Sequence, residues 1–61
     1  MDEVLETLKE RVNLLESEII RLTYDIKRYG AGAIATRLEH LRDQLKDELV
    51  QAQEDLDNYE T

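Results

Sequence analysis

The 61-residue sequence has no cysteine, proline, tryptophan or phenylalanine, and its only aromatic side chains are three tyrosines. Without cysteine it can build neither a disulfide scaffold nor a thiolate-ligated zinc site. No apolar run approaches the roughly 20 residues that cross a bilayer, and the first residues are acidic, unlike the basic start of a signal peptide. These absences predict no membrane contact and make the cytoplasm the default location.

The sequence has few residues suited to catalysis or metal binding. His40 is the only histidine and Ser17 the only serine, and neither has a partner at a useful spacing. Residues 30–35 match the G-x-G-x-x-A nucleotide fingerprint, but that motif has meaning only after a strand. A chain this short also has little interior for a shielded pocket. We therefore predict a protein that is not an enzyme, with no catalytic, metal or cofactor site.

Charged residues make up 38% of the sequence and apolar residues 41%, a balance typical of helical coiled coils. In the first half, apolar residues recur at steps that alternate between 3 and 4 without a miss. This heptad repeat predicts a helix over residues 2–29 with one apolar face. The predicted core positions of this helix are Leu5, Leu8, Val12, Leu15, Ile19, Leu22, Ile26 and Tyr29.

The second half carries a similar repeat, which predicts a helix over residues 33–60. Its apolar residues are also spaced by steps of 3 and 4. One extra step of four, between Leu45 and Leu49, interrupts the alternation, and such an interruption is called a stutter. Between the halves lie Gly30 and Gly32, the only glycines, which predict a turn over residues 30–32. The predicted core positions of the second helix are Ile34, Leu38, Leu41, Leu45, Leu49, Ala52, Leu56 and Tyr59.

We predict an all-α fold in which residues 1–61 form a single antiparallel hairpin. Folding back at the glycines pairs the two repeats layer by layer, from Leu5 with Tyr59 to Tyr29 with Ile34. The same register places Arg11 near Asp55 and Asp25 near Arg37. The alternative is a continuous helix in a long parallel coiled coil, which the β-branched a positions of the first helix favour.

One seam between two helices buries little surface, so we expect the hairpin to self-associate, with a dimer forming a four-helix bundle favoured. Several apolar residues lie away from the seam. Ile20 and Tyr24 are four residues apart, which places them side by side on one helix face. They are the candidates for a second interface.

The net charge of −7 is unevenly distributed along the chain. Residues 19–43 contain five basic and three acidic side chains, a net +2, whereas the rest contains three basic and twelve acidic, a net −9. A hairpin would therefore have a basic tip and an acidic open end. Lys27, Arg28 and Arg37 are candidates to face an anion at the tip. At the open end, the candidates to dock a basic protein are Glu54, Asp55 and Asp57.

These features predict a small adaptor, assembly factor or regulator that works through protein–protein contacts, with a second copy and a further protein as partners. The alternative function is a nucleic-acid-binding regulator that uses the basic tip. The net negative charge argues against it, because affinity for a duplex depends on neutralising phosphates.

Overall fold

The computed structural model describes residues 2–61, so Met1, which the predicted domain includes, lies outside it. Residues 2–61 form two α-helices and no strand: α1 spans Glu3–Tyr29 and α2 spans Ala33–Glu60. The helices pack against each other along their length. The molecule measures 45 × 17 × 11 Å. A helix of about 28 residues is about 42 Å long, so the dimensions are those of a hairpin, and the continuous rod is wrong for this chain.

Asp2 begins α1. Its side-chain Oδ1 accepts hydrogen bonds from the backbone N–H groups of Val4 and Leu5 at 3.1 and 3.2 Å. Two of the donors that the first turn leaves without partners are thereby satisfied. Acidic side chains in the first turn and basic ones in the last turn also complement the helix dipole.

Two glycines reverse the chain. Gly30 ends α1 with φ at +76°, and its N–H donates to the carbonyl of Ile26 at 2.9 Å. Gly32 immediately precedes α2 and has φ at +118° and ψ at −172°, a region that is almost restricted to glycine. A Cβ at either position would meet no atom within 4 Å. The turn therefore needs glycine for its backbone angles and not because of crowding.

The seam between the helices follows a heptad spacing in both helices. In α1 it contains the predicted residues from Leu5 to Ile26, all buried or half-buried. In α2 the steps also alternate between 3 and 4 throughout, so the predicted stutter is wrong. The α2 residues that are covered along this line are Ala35, Leu38, Arg42, Leu45, Leu49, Ala52 and Leu56.

Four predicted core residues are exposed, namely Tyr29, Ile34, Leu41 and Tyr59. Tyr29 is exposed because α1 ends there and no further layer covers its ring. Ile34 and Leu41 are 59% and 45% exposed, and the residues that follow each of them, Ala35 and Arg42, occupy the seam instead. A constant heptad keeps one line of α2 facing α1, whereas the stutter would rotate that line away.

Alanines fill the two tightest positions of the seam. Ala52 and Ala35 are only 1% and 2% exposed, the lowest values among residues 2–61. A small side chain lets two helix backbones approach closely. Arg42 fits the seam in another way, because the aliphatic stem of an arginine can cover apolar surface. Tyr59, the last predicted core residue, lies at the open end and is 45% exposed.

Candidate functional site

An exposed apolar groove lies on the flank of α1, beside the seam. It has a volume of about 280 Å³ and is lined by Ile19, Ile20, Thr23, Tyr24 and Lys27. The Ile20 side chain is 61% exposed and that of Tyr24 is 75% exposed, so both predicted interface residues face solvent. The groove that contains this pair adjoins the seam between the helices, because Ile19 lines both surfaces.

The groove offers apolar contact and few hydrogen bonds. The Thr23 hydroxyl donates to the backbone carbonyl of Ile19 at 2.8 Å, which leaves its methyl group as part of the lining. The polar groups at the margin are the Tyr24 hydroxyl and the Lys27 ammonium. A surface of this kind suits another helix better than a small polar ligand.

A second, shallower depression lies near the start of α1, lined by Glu3, Val4, Thr7 and Leu8. The Thr7 hydroxyl is bonded to the carbonyl of Glu3 at 2.8 Å. Val4 is the only exposed large apolar residue in it, so it provides less apolar contact than the α1 groove. Leu14 and Val50 are also exposed, but they stand singly, which is ordinary for a protein surface.

The basic residues of the tip lie in the open. Lys27, Arg28 and Arg37 are exposed. Among residues 2–61, the pair Arg11–Asp55 is the only ion pair, so none of the three tip residues forms one. Helix α2 starts beside them at a glycine, with no side-chain cap and no acidic residue in its first turn. The tip is therefore free to meet negative charge from outside the chain.

At the open end, Asp55 is already engaged within the hairpin. Arg11 Nη1 lies 3.5 Å from Asp55 Oδ2, as the heptad register predicts, and Gln51 Nε2 donates to Asp55 Oδ1 at 3.0 Å. Of the predicted acidic docking residues, Glu54 and Asp57 remain exposed, whereas Asp55 is half-buried. The exposed acidic patch at the open end is thus smaller than the sequence predicts.

The predicted Asp25–Arg37 pair does not form within residues 2–61. Without the stutter, the α2 position that faces Asp25 across the seam moves four residues along, from Arg37 to Leu41. The Arg11–Asp55 pair lies between the predicted stutter and the open end. Removing the stutter therefore does not change which residues face each other there.

A contact between the chain ends closes the hairpin. The Tyr59 hydroxyl donates a hydrogen bond to Oδ2 of Asp2, so this one carboxylate both caps α1 and binds α2. The bond from Tyr59, followed by the backbone bond from Leu5, lowers the pKa of Asp2 below its usual value. The same bond to Asp2 raises the pKa of Tyr59. The sequence gives no sign of this contact between Asp2 and Tyr59.

Arg42 is the polar member of the seam. Its Nε is buried and has no hydrogen-bond partner within residues 2–61. A buried unpaired donor destabilises a fold by roughly 1–3 kcal/mol. An unbroken heptad spacing predicts Arg42 in the seam, because positions 38, 42 and 45 continue the alternation of steps of 4 and 3.

No group of three histidine, cysteine or acidic side chains within residues 2–61 is arranged to hold a metal ion. His40 is exposed on α2. In the described part of the chain, neither helix is long and apolar enough to cross a membrane.

By its fold the molecule is a two-helix hairpin with an exposed apolar groove on its first helix. Comparison with known proteins finds no family model, no curated protein and no solved structure that matches the chain.

Proposed function

We propose that this chain is a non-enzymatic protein–protein interaction module, an antiparallel coiled-coil hairpin that associates with a second copy and acts as a small adaptor, assembly factor or regulator. The observation that carries the proposal is the exposed groove around Ile20 and Tyr24, on a hairpin with very little interior of its own.

The small interior supports association. Only Val12, Leu22, Ala35 and Ala52 count as buried among residues 2–61, and no large side chain is fully covered. Chains of this size gain stability from disulfides, metals or oligomerisation. The sequence contains no cysteine, and its acidic residues do not cluster as metal ligands in the described part. Association with another helical surface is the source of stability that this composition allows.

The exposed groove also supports association with a partner helix. Tyrosine is enriched at protein interfaces because it combines a large apolar ring with a polar tip. Ile20 and Tyr24 occupy adjacent turns of one face, so a partner helix can cover both at once. Covering this pair gains apolar contact, and the Thr23 hydroxyl beside it needs no new partner because it is already bonded to the Ile19 carbonyl.

The test is the concentration dependence of thermal unfolding. Because association stabilises the folded state by mass action, Tm should rise with concentration between about 1 µM and 1 mM. Ile20→Glu should lower Tm at high concentration and flatten this dependence. Val50→Glu is the matched control, since Val50 is similarly exposed but lies on α2, away from the groove. Its curve should follow that of the unmodified chain. A Tm independent of concentration for the unmodified chain would contradict self-association.

A second candidate function is nucleic-acid binding at the tip, favoured by the unpaired Lys27, Arg28 and Arg37. The net charge of −7 opposes it. A gel shift at low salt separates the two functions. A complex that weakens steeply as salt rises, and that Arg28→Glu with Arg37→Glu abolishes, would favour nucleic acid. We expect no shift.

A further inference from the structure

We infer that the second copy binds along the outer side of α1 in the antiparallel sense, so that Glu6 of one copy faces Lys27 of the other. This inference rests on the self-association proposed above and specifies its surface, its direction and its register.

The surface is a second stripe on α1, which we call the outer stripe. Its positions step by 4, 3, 4, 3, 4 and 3, the same alternation that defines the seam, and all seven residues are exposed. A stripe with this spacing runs nearly straight along a helix and can pack against a neighbouring helix over six turns. The outer stripe consists of Glu6, Glu10, Asn13, Ser17, Ile20, Tyr24 and Lys27.

The outer stripe is complementary to itself when reversed. Its first members, Glu6 and Glu10, are acidic, and its last member, Lys27, is basic. Antiparallel pairing centred on Ser17 brings Glu10 level with the Tyr24 hydroxyl of the second copy and Glu6 within one residue of Lys27, twice per dimer. Among residues 2–61 neither acid nor Lys27 has an ion-pair partner, so these charges are available.

The charges of α2 argue against the other arrangements. The corresponding outer face of α2 carries Asp43, Asp47, Glu54 and Asp57. Packing α2 on α2 in parallel would bring these acids together, and antiparallel packing centred on Asp47 would set the two Asp47 side chains against each other. Two hairpins could instead lie side by side in the same direction, related by a two-fold axis along their length. In that arrangement α1 of one copy packs on α2 of the other, and Glu6 and Glu10 face Glu54 and Asp57. Contact between the two α1 helices, run in opposite directions, avoids like-charge contact at both ends.

Ser17 gives the register a geometric test. Packed helices have axes about 8–10 Å apart, and each Cα lies about 2.3 Å from its own axis. Two Ser17 residues facing each other at the two-fold axis therefore have Cα atoms roughly 3.5–5.5 Å apart. That range overlaps the roughly 4.4–6.8 Å that a disulfide spans. The two Ile20 side chains flank this crossing point.

The first experiment uses the absence of natural cysteine. Ser17→Cys in the full chain should oxidise to a covalent dimer in high yield and keep its helical circular dichroism. Glu18→Cys, one residue away on the other side of α1, is the control and should cross-link only slowly. An equimolar mixture of Glu6→Cys and Lys27→Cys should give the mixed disulfide in preference to either homodimer. A Glu6→Cys homodimer in preference to the mixed species would overturn the direction.

The second experiment reverses the charges. Glu6→Lys or Lys27→Glu should each weaken dimerisation by roughly tenfold, because two exposed pairs per dimer become repulsive. The double reversal should restore the affinity. Glu18→Lys makes the same change in charge off the stripe and should leave the dissociation constant within about threefold, since surface changes away from a contact have small effects.

The outcomes separate this inference from the proposed function. If the chain dimerises but Ser17→Cys cross-links no faster than Glu18→Cys and the double reversal fails to rescue, the register is wrong and self-association stands. If the unmodified chain sediments as a monomer throughout, self-association fails and the inference fails with it.

Discussion

Replacing Arg42 by leucine should stabilise the hairpin. Arg42 occupies a seam position and keeps a buried Nε without a partner among residues 2–61. An unsatisfied buried donor costs roughly 1–3 kcal/mol, and leucine adds apolar contact at the same position. Allowing for the lost packing of the arginine stem, Arg42→Leu should raise the free energy of unfolding by about 1–2 kcal/mol. Arg37→Leu, on the exposed surface, should change it by less than about 0.5 kcal/mol.

Leu41 and Leu45 supply the complementary comparison. Leu41 is 45% exposed, so Leu41→Ala should cost under about 1.5 kcal/mol, whereas Leu45→Ala, in the seam, should cost about 2–4 kcal/mol. Urea unfolding followed by circular dichroism at one fixed protein concentration measures all four variants. Equal costs at Leu41 and Leu45, together with destabilisation by Arg42→Leu, would refute the unbroken heptad.

Two further predictions concern the ends of the hairpin. Gly32→Ala should destabilise by about 1–3 kcal/mol in urea unfolding, because alanine at a φ of +118° is strained, while Ala31→Gly should cost under about 1 kcal/mol. The Asp2–Tyr59 bond should make stability fall at both extremes of pH. Its contribution through Asp2, whose pKa is lowered on folding, is lost as pH falls below about 3.8. Its contribution through Tyr59, whose pKa is raised, is lost as pH rises above about 10. Tyr59→Phe should reduce both losses, and an unchanged pH profile would show that the bond contributes nothing.

The first helix could be predicted from the sequence because each seam position from Leu5 to Ile26 carries a large apolar side chain, so spacing and hydrophobicity agree. In α2 they disagree. Ile34 and Leu41 are more apolar than Ala35 and Arg42, and choosing by hydrophobicity introduced a stutter that the helix does not have. Constant spacing is the stronger constraint, because it alone keeps one line of α2 against α1.

The groove was predictable in part. The spacing of Ile20 and Tyr24 predicts that they share one face of α1. The hydrogen bond that turns the Thr23 hydroxyl away from the groove depends on the side-chain conformation, which the sequence pattern does not predict. The Asp2–Tyr59 contact joins residues at opposite ends of the chain, and only a register accurate to the last turn would place them together.

Sedimentation equilibrium of the unmodified chain over a wide concentration range tests the central claim most directly. Association through α1 predicts a reversible increase from the mass of one chain to that of two, and Ile20→Glu should shift it to higher concentration. A single-chain mass at every concentration up to about 1 mM, which corresponds to association weaker than about −4 kcal/mol, would contradict the account.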